Sequence, residues 1–224
     1  MKMNMKEWVA ETIRAEKKKA APILSFPGIQ ITGHTVDEMV RDGHLQALCM
    51  EAIAKRFPTG AAFSLMDLSV EAEAFGSPVL YTEDEVPTVT AAIVHDEDEA
   101  EALEIPQVGA GRTGECVKGI REVCERITDR PVLAGMIGPY SLAGRLLDMT
   151  EIMILCYEDP ELVETVLGKV TEFLTKYAKA FKEAGANGIA IAEPAAGLLS
   201  GGGAADVLRS AEREAAGNLC DGRF

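Results

Sequence analysis

Two acids close two apolar runs in this sequence, and they are the first candidates for chemistry. Asp67 follows Ala61–Met66, and Glu193 follows Gly188–Ala192. Each is open to two readings: a structural carboxylate that caps a loop, or a group that handles substrate or a proton. If the fold brings the two together, like charges raise one pKa and suit that carboxyl to proton work. Arg145 either binds an anion or pairs with nearby Asp148 or Glu151. His34, His44 and His95 read as non-metal positions, with His95 on the surface beside Asp96. Cys49, Cys116, Cys124, Cys156 and Cys220 form no Cys-x-x-Cys pair, and an odd count argues against a disulfide framework. They read as reduced, mostly buried thiols. Gly109–Gly114 lacks the Gly-x-x-x-x-Gly-Lys-Ser/Thr pattern of a phosphate loop and reads as a linker.

The elements that must position these residues follow from periodicity. Helical spacing runs from Met5 to about Lys18. Pro22–Pro27 is an apolar run that reads as strand one. Thr35 and Glu38 have capping-box spacing and open a helix that Pro58 ends. Ala61–Met66 is strand two, and Phe75–Tyr81 suits a short strand or hairpin. Asp96–Leu103 is a short acidic helix, and another helix runs from about Glu115 to Ile127. Pro131–Ile137 is strand three, followed by Gly138-Pro139 and helices near Leu142–Leu147 and Glu151–Cys156. Asp159-Pro160 starts a long helix that Gly185 stops, and Gly188–Ala192 is strand four. Strands alternating with helices, and apolar throughout, imply a parallel sheet covered on both faces. Half a barrel and a doubly wound sheet both fit at this point.

Composition excludes several partners. The 224 residues carry a net charge of −14, which argues against nucleic acid and anionic membranes. No Lys or Arg occurs between Arg56 and Arg112, while acids cluster at Glu83–Glu85 and Asp96–Glu104; a solvated acidic face is the simplest account. Hydrophobic residues make up 47% and aromatics 5%, so aliphatic side chains and Met must build the core. No apolar run approaches the ~20 residues of a membrane span. The charged N-terminus lacks a signal-peptide stretch, so the expected location is cytoplasmic.

Three stretches carry a family resemblance: Met66–Gly76 with Glu83–Pro87, then Gly138-Pro-Tyr-Ser-Leu-Ala-Gly-Arg145, then Ala184–Ser200. In order and spacing they resemble the first half of the uroporphyrinogen decarboxylase superfamily. The resemblance implies an α/β fold, a partial (β/α)8 barrel of about the first four βα units, over residues 1–200. Chemistry in such barrels sits at the C-terminal ends of the strands. It therefore implies Asp67 and Glu193 as catalytic residues, and Gly138, Tyr140 and Arg145 as substrate-binding residues.

The superfamily holds porphyrinogen decarboxylases and corrinoid-dependent methyltransferases. Decarboxylases clamp substrate carboxylates with an Arg-rich loop after strand one; Phe26–Gly33 here has no Arg, and Gln30 or Thr32 cannot replace a bidentate guanidinium. Decarboxylases place an Asp after strand two, matched by Asp67. They place a Tyr where this chain has Arg145, and a Ser where it has Pro194. The resemblance therefore points to methyl transfer from a methyl-corrinoid protein to a thiol such as coenzyme M. Uroporphyrinogen decarboxylation, or a non-catalytic half-barrel that forms a homo-oligomer, are the alternatives. Such methyltransferases use zinc held by His-x-Cys and a distant Cys, a motif this sequence lacks, so no metal or cofactor is expected on this chain alone. After Ser200 the resemblance stops at Gly201-Gly-Gly, and residues 201–224 read as an atypical tail of a truncated or frameshifted frame, with the chain inactive by itself.

Overall fold

Side-chain caps set most helix boundaries. The computed structural model describes residues 3–198, so the expected tail over 201–224 lies outside the described residues. Helix α1 (Met5–Arg14) opens on Asn4, which accepts the Glu7 N–H, and it buries none of its residues. The run read as strand one does not form a strand. It is irregular chain leading to a turn and a short helix, α2 (Gly28–Thr32). Pro22 and Pro27 remove two backbone donors from that run, which weakens any ladder it could make. Just before that run, Ala20 O accepts from Gly60 N–H at 2.7 Å.

The Thr35/Glu38 capping box forms as expected and opens α3 (Val36–Arg41). The single helix expected up to Pro58 is broken at Asp42, whose extended backbone ends α3 and whose side chain caps α4 (Gly43–Arg56). Close packing explains the break. A Cβ on Gly43 would meet Glu115 O at 2.2 Å, so the start of α4 lies directly on the backbone of a later helix.

β1 (Ala62–Phe63) is shorter than the expected Ala61–Met66, although Ser64 N–H still donates to Leu133 O. Then come α5 (Val70–Ala74), the antiparallel pair β2 (Val79–Leu80) and β3 (Thr88–Val89), and α6 (Glu97–Ala102). Next are α7 (Thr113–Arg126), β4 (Val132–Ile137), α8 (Pro139–Leu147), α9 (Met149–Glu158) and α10 (Pro160–Glu183). β5 (Gly188–Ala192) and a 3-10 turn, Pro194–Leu198, complete the described chain.

The main sheet has the parallel order β1-β4-β5, with Leu133 opposite Gly188 and Ile137 opposite Ala192. Three strands, not four, therefore carry the barrel portion among the described residues. Helix α10 supplies the aromatic spine of the core: Phe173, Tyr177 and Phe181 follow one another along it, and Phe75 meets Phe173 edge-on at 5.3 Å. Each fully buried side chain of this size contributes roughly 1.5–3 kcal/mol through water release. No helix of the described residues is long and apolar enough to cross a membrane.

Two glycines separate packing from propensity. Gly43→Ala forces α4 away from α7 and is expected to cost at least about 1–3 kcal/mol. Gly168, exposed in α10 with nothing near its missing Cβ, is expected to stabilise by about 1 kcal/mol when replaced by Ala. Urea denaturation of the two variants checks both signs.

Candidate functional site

The C-terminal ends of the three parallel strands carry two polar clusters. The first is built after β1. Asp67, whose side chain is fully buried, turns back over its own loop and accepts from Ser69 N–H at 2.9 Å and Ser69 Oγ–H at 2.7 Å. Its other oxygen accepts from Arg112 Nη1 at 2.5 Å. Arg112 also donates Nη2 to Ser69 Oγ at 2.8 Å and Nε to Glu73 at 2.6 Å. One guanidinium thus ties the loop after β1, helix α5 and the start of α7 into a unit. Burial works against the Arg112 charge, but Asp67 and then Glu73 outweigh it and hold its pKa above the ordinary value.

Arg112 corrects the reading of Gly109–Gly114 as a linker. Gly109 and Gly111 both adopt positive φ, and the turn they make directs Arg112 into the protein rather than out of it. A sequence signal was present. The stretch from Phe57 to Gly111 has acids and no Lys or Arg, so the first Arg after it is the natural counter-ion.

Tyr81 completes this cluster. Its hydroxyl donates to Glu73 at 2.5 Å, and its ring lies 3.7 Å from the Arg41 guanidinium carbon and 5.0 Å from that of Arg112. Burial and the Glu73 bond push the Tyr81 hydroxyl up to about 12.

The second cluster joins β5 to α8. Glu193 accepts from Tyr140 N–H at 3.0 Å and Ser141 N–H at 2.7 Å, so its carboxylate sits on the N-terminus of α8. Free amides and the helix dipole favour an anion there, and Pro139 at the first turn has no N–H to waste. Ser141 Oγ accepts from Ala195 N–H at 3.3 Å, and Gly138 N–H donates to Ala192 O at 2.8 Å. Gly138 must lack a side chain, because a Cβ would lie 2.1 Å from a Glu193 oxygen.

The structure gives the two expected acids separate partners: Asp67 faces Arg112 and Ser69, while Glu193 faces helix amides. Tyr140 presents its backbone N–H to Glu193; its ring is buried and its hydroxyl lies 3.9 Å from Cys156 Sγ. Arg145 stands one helical turn beyond Ser141 and is half-buried. It makes no ion pair with Asp148 or Glu151. Asp148 instead accepts the Thr150 and Glu151 amides and caps α9.

Glu71 is the residue that sequence reasoning missed. It is 2% exposed, and one carboxyl oxygen accepts from Ile137 N–H at 3.2 Å while the other has no hydrogen-bond partner. Burial, reinforced by the nearby Asp67 charge, pushes its pKa up to about 7. Only its spacing from Asp67 and Glu73 hinted at a shared environment.

Among the described residues no group of three His, Cys, Asp or Glu could hold a metal ion. His34, His44 and His95 each lie beside a single glutamate: Glu38, Glu122 and Glu99. Burial raises the thiol pKa of Cys49 and Cys156, and pushes Cys116 up to about 12 and Cys124 up to about 11. These are resting thiols rather than thiolate ligands. A cavity of ≈710 Å³ lined by Trp8, Thr12, Gly60 and Arg130 lies at the opposite, N-terminal ends of β1 and β4, away from both clusters.

Comparison with known proteins adds family context. A family model described as uroporphyrinogen decarboxylase (URO-D) matches residues 17–215. Methylcobamide:CoM methyltransferase MtbA of Methanosarcina acetivorans is 29% identical over 196 residues, which is 82% of this chain and 57% of the relative. Methylcobamide:CoM methyltransferase MtaA of Methanosarcina barkeri is 33% identical over 131 residues, 58% of this chain and 39% of the relative. A uroporphyrinogen decarboxylase of Salmonella paratyphi B is 27% identical over 154 residues, 66% and 43% respectively. The chain therefore spans at most 57% of the length of these relatives. A solved methyltransferase from Methanosarcina mazei shares the fold, with a TM-score of 0.86 at 24% identity, over 97% of this chain and 67% of that one.

The second cluster yields a direct test. Glu193→Gln removes the charge from the α8 N-terminus and is expected to cost about 1–2 kcal/mol. Gly138→Ala, which expels the same carboxylate by contact, should cost at least as much, and combining the two should cost less than their sum. Additive losses in denaturant titrations would show that the two residues do not act on one contact.

Proposed function

The chain belongs to the uroporphyrinogen decarboxylase family, and we propose that its chemistry is methyl transfer from a methyl-corrinoid protein to a small thiol such as coenzyme M. The observation that carries this reading is the engagement of its arginines. A decarboxylase of the family needs several guanidiniums to hold a polycarboxylate. The corresponding segment here, Phe26–Gly33, contains helix α2 and no arginine. Arg112 gives its donors to Asp67, Glu73 and Ser69. Arg126 pairs with Glu51 and Glu122, and Arg130 with Asp129. Among the described arginines that are not exposed, Arg145 alone has no carboxylate partner. One available guanidinium suits one anionic group on a small thiol. The similarity to two methylcobamide:CoM methyltransferases supports the same reading.

In this reading Arg145 holds the anionic end of the thiol. Glu193 fixes the N-terminus of α8, the helix that carries Arg145, and Asp67 with Arg112 fixes the loop after β1. Both acids are positioning residues. Zinc, in the methyltransferases this chain resembles, turns a thiol into a thiolate at neutral pH. The described residues do not fit such a centre, since each histidine lies beside one glutamate and the described thiols are held protonated. Their part is therefore confined to binding and positioning.

Two titrations test the proposal. The chain is expected to bind methylcobalamin, followed by its absorbance, and not uroporphyrin; the reverse preference contradicts methyl transfer. Calorimetry with 2-mercaptoethanesulfonate should show Arg145→Gln weakening binding by about tenfold or more, as expected for a lost charge-assisted hydrogen bond. Binding of neutral 2-mercaptoethanol should be unaffected. Equal loss for both thiols contradicts an anion-binding role.

A further inference from the structure

Glu71 lies between the two polar clusters and touches both of their supports. Its helix, α5, also carries Glu73, and its carboxyl oxygen accepts from Ile137 N–H, the residue immediately before Gly138. It is therefore the link between the Asp67–Arg112 unit and the strand end on which Glu193 and α8 are built.

Its charged surroundings decide its protonation state. Asp67, Glu71 and Glu73 gather around one guanidinium. Arg112 donates to Asp67, Glu73 and Ser69, and Glu71 receives no hydrogen bond from it. Burial and the Asp67 charge oppose ionisation of Glu71, while the Arg112 charge among its neighbours favours it. From the α7 side Glu71 feels the charge of Arg112, already engaged, and lies in the electrostatic reach of the Cys116 thiol. From the α10 side the nearby ionisable group is the Tyr177 hydroxyl, held protonated by burial. β4 contributes amides and no ionisable side chain. α8 carries Tyr140, whose hydroxyl is turned to Cys156, and Arg145. An ionised Glu71 would be a fully buried charge beside the Asp67 carboxylate, offset by backbone amides and an Arg112 cation already paired with two other carboxylates. Such a charge takes up a proton rather than remain.

We propose that Glu71 is a neutral carboxylic acid in the folded protein, a positioning residue whose proton sets how α5 holds the C-terminal end of β4. Losing that proton places an uncompensated charge between α5 and β4, and the strand end that carries Gly138 must adjust. The inference is independent of which reaction the family member performs, because it concerns the scaffold beneath both clusters. The raised pKa near 7 agrees with it.

The sign of the pH dependence follows from linkage. The folded pKa lies above the value of 4.5 for an unperturbed Glu. The stabilisation is fully present below 4.5, falls as pH rises toward about 7, and changes no further above it. Across that window the folded-to-unfolded ratio of the wild type should drop about tenfold per pH unit relative to Glu71→Gln. Parallel stability curves for the two proteins overturn the proposal. In the wild type the Ile137 amide nitrogen resonance should shift with a midpoint near 7, and Glu71→Gln should abolish that shift. A flat Ile137 resonance, or the same shift in the variant, also overturns it. Should Glu71→Gln fail to fold, isotope-edited infrared spectroscopy of the wild type decides. A protonated, buried glutamate carbonyl band present at about pH 6 and lost by about pH 8 supports the proposal. Its absence at the lower pH contradicts it.

Discussion

A buried guanidinium cannot remain without an anion, and that constraint organises the upper end of this fold. Arg112 is enclosed, so its donors must be met inside the protein. Asp67, Ser69 and Glu73 meet them from three points on the loop after β1 and on α5. The arrangement fixes the α5 orientation, requires the positive-φ glycines that turn Arg112 inward, and draws α7 onto α5. It also leaves Glu71 as the acid without a cationic partner. The protonation of Glu71 and the placement of the β4 end are consequences of one ion pair.

The same constraint shapes the functional reading. Arg112 gives Nε, Nη1 and Nη2 bonds to the scaffold, and α2 offers no arginine in its place. What remains among the partly buried arginines is Arg145, on a helix whose N-terminus is held by Glu193. Among the described residues, Arg145 is thus the one partly buried arginine without a carboxylate partner, and it rides on a fixed helix. That arrangement underlies the proposal of a small, singly anionic ligand made above.

Much of the scaffold was legible from sequence because local chemistry dictates it. The Thr35–Glu38 box, the Asp96 cap and the Asp159-Pro160 start all form as their residue types imply. β4 and β5 follow their apolar runs closely. Pro22–Pro27 reads as a strand yet forms none, because an apolar run bounded by turns does not by itself reveal whether its backbone has ladder partners. The break at Asp42 was hidden because it answers to Glu115, which is distant in sequence. The acids at Asp67 and Glu193 were found by position, but their partners were not: Arg112 and the α8 amides come from other segments. Glu71 was invisible for the same reason, since burial and the lack of a cation are tertiary facts.

The most direct measurement of the central claim is a double-mutant cycle on Asp67 and Arg112. Arg112→Met strands the Asp67 carboxylate, and Asp67→Asn strands the guanidinium, so each alone should cost about 3–5 kcal/mol. Together they should cost clearly less than their sum, with a coupling of at least about 2 kcal/mol. Additive single costs, or losses within about 0.5 kcal/mol of zero, would contradict the view that this ion pair organises the strand ends.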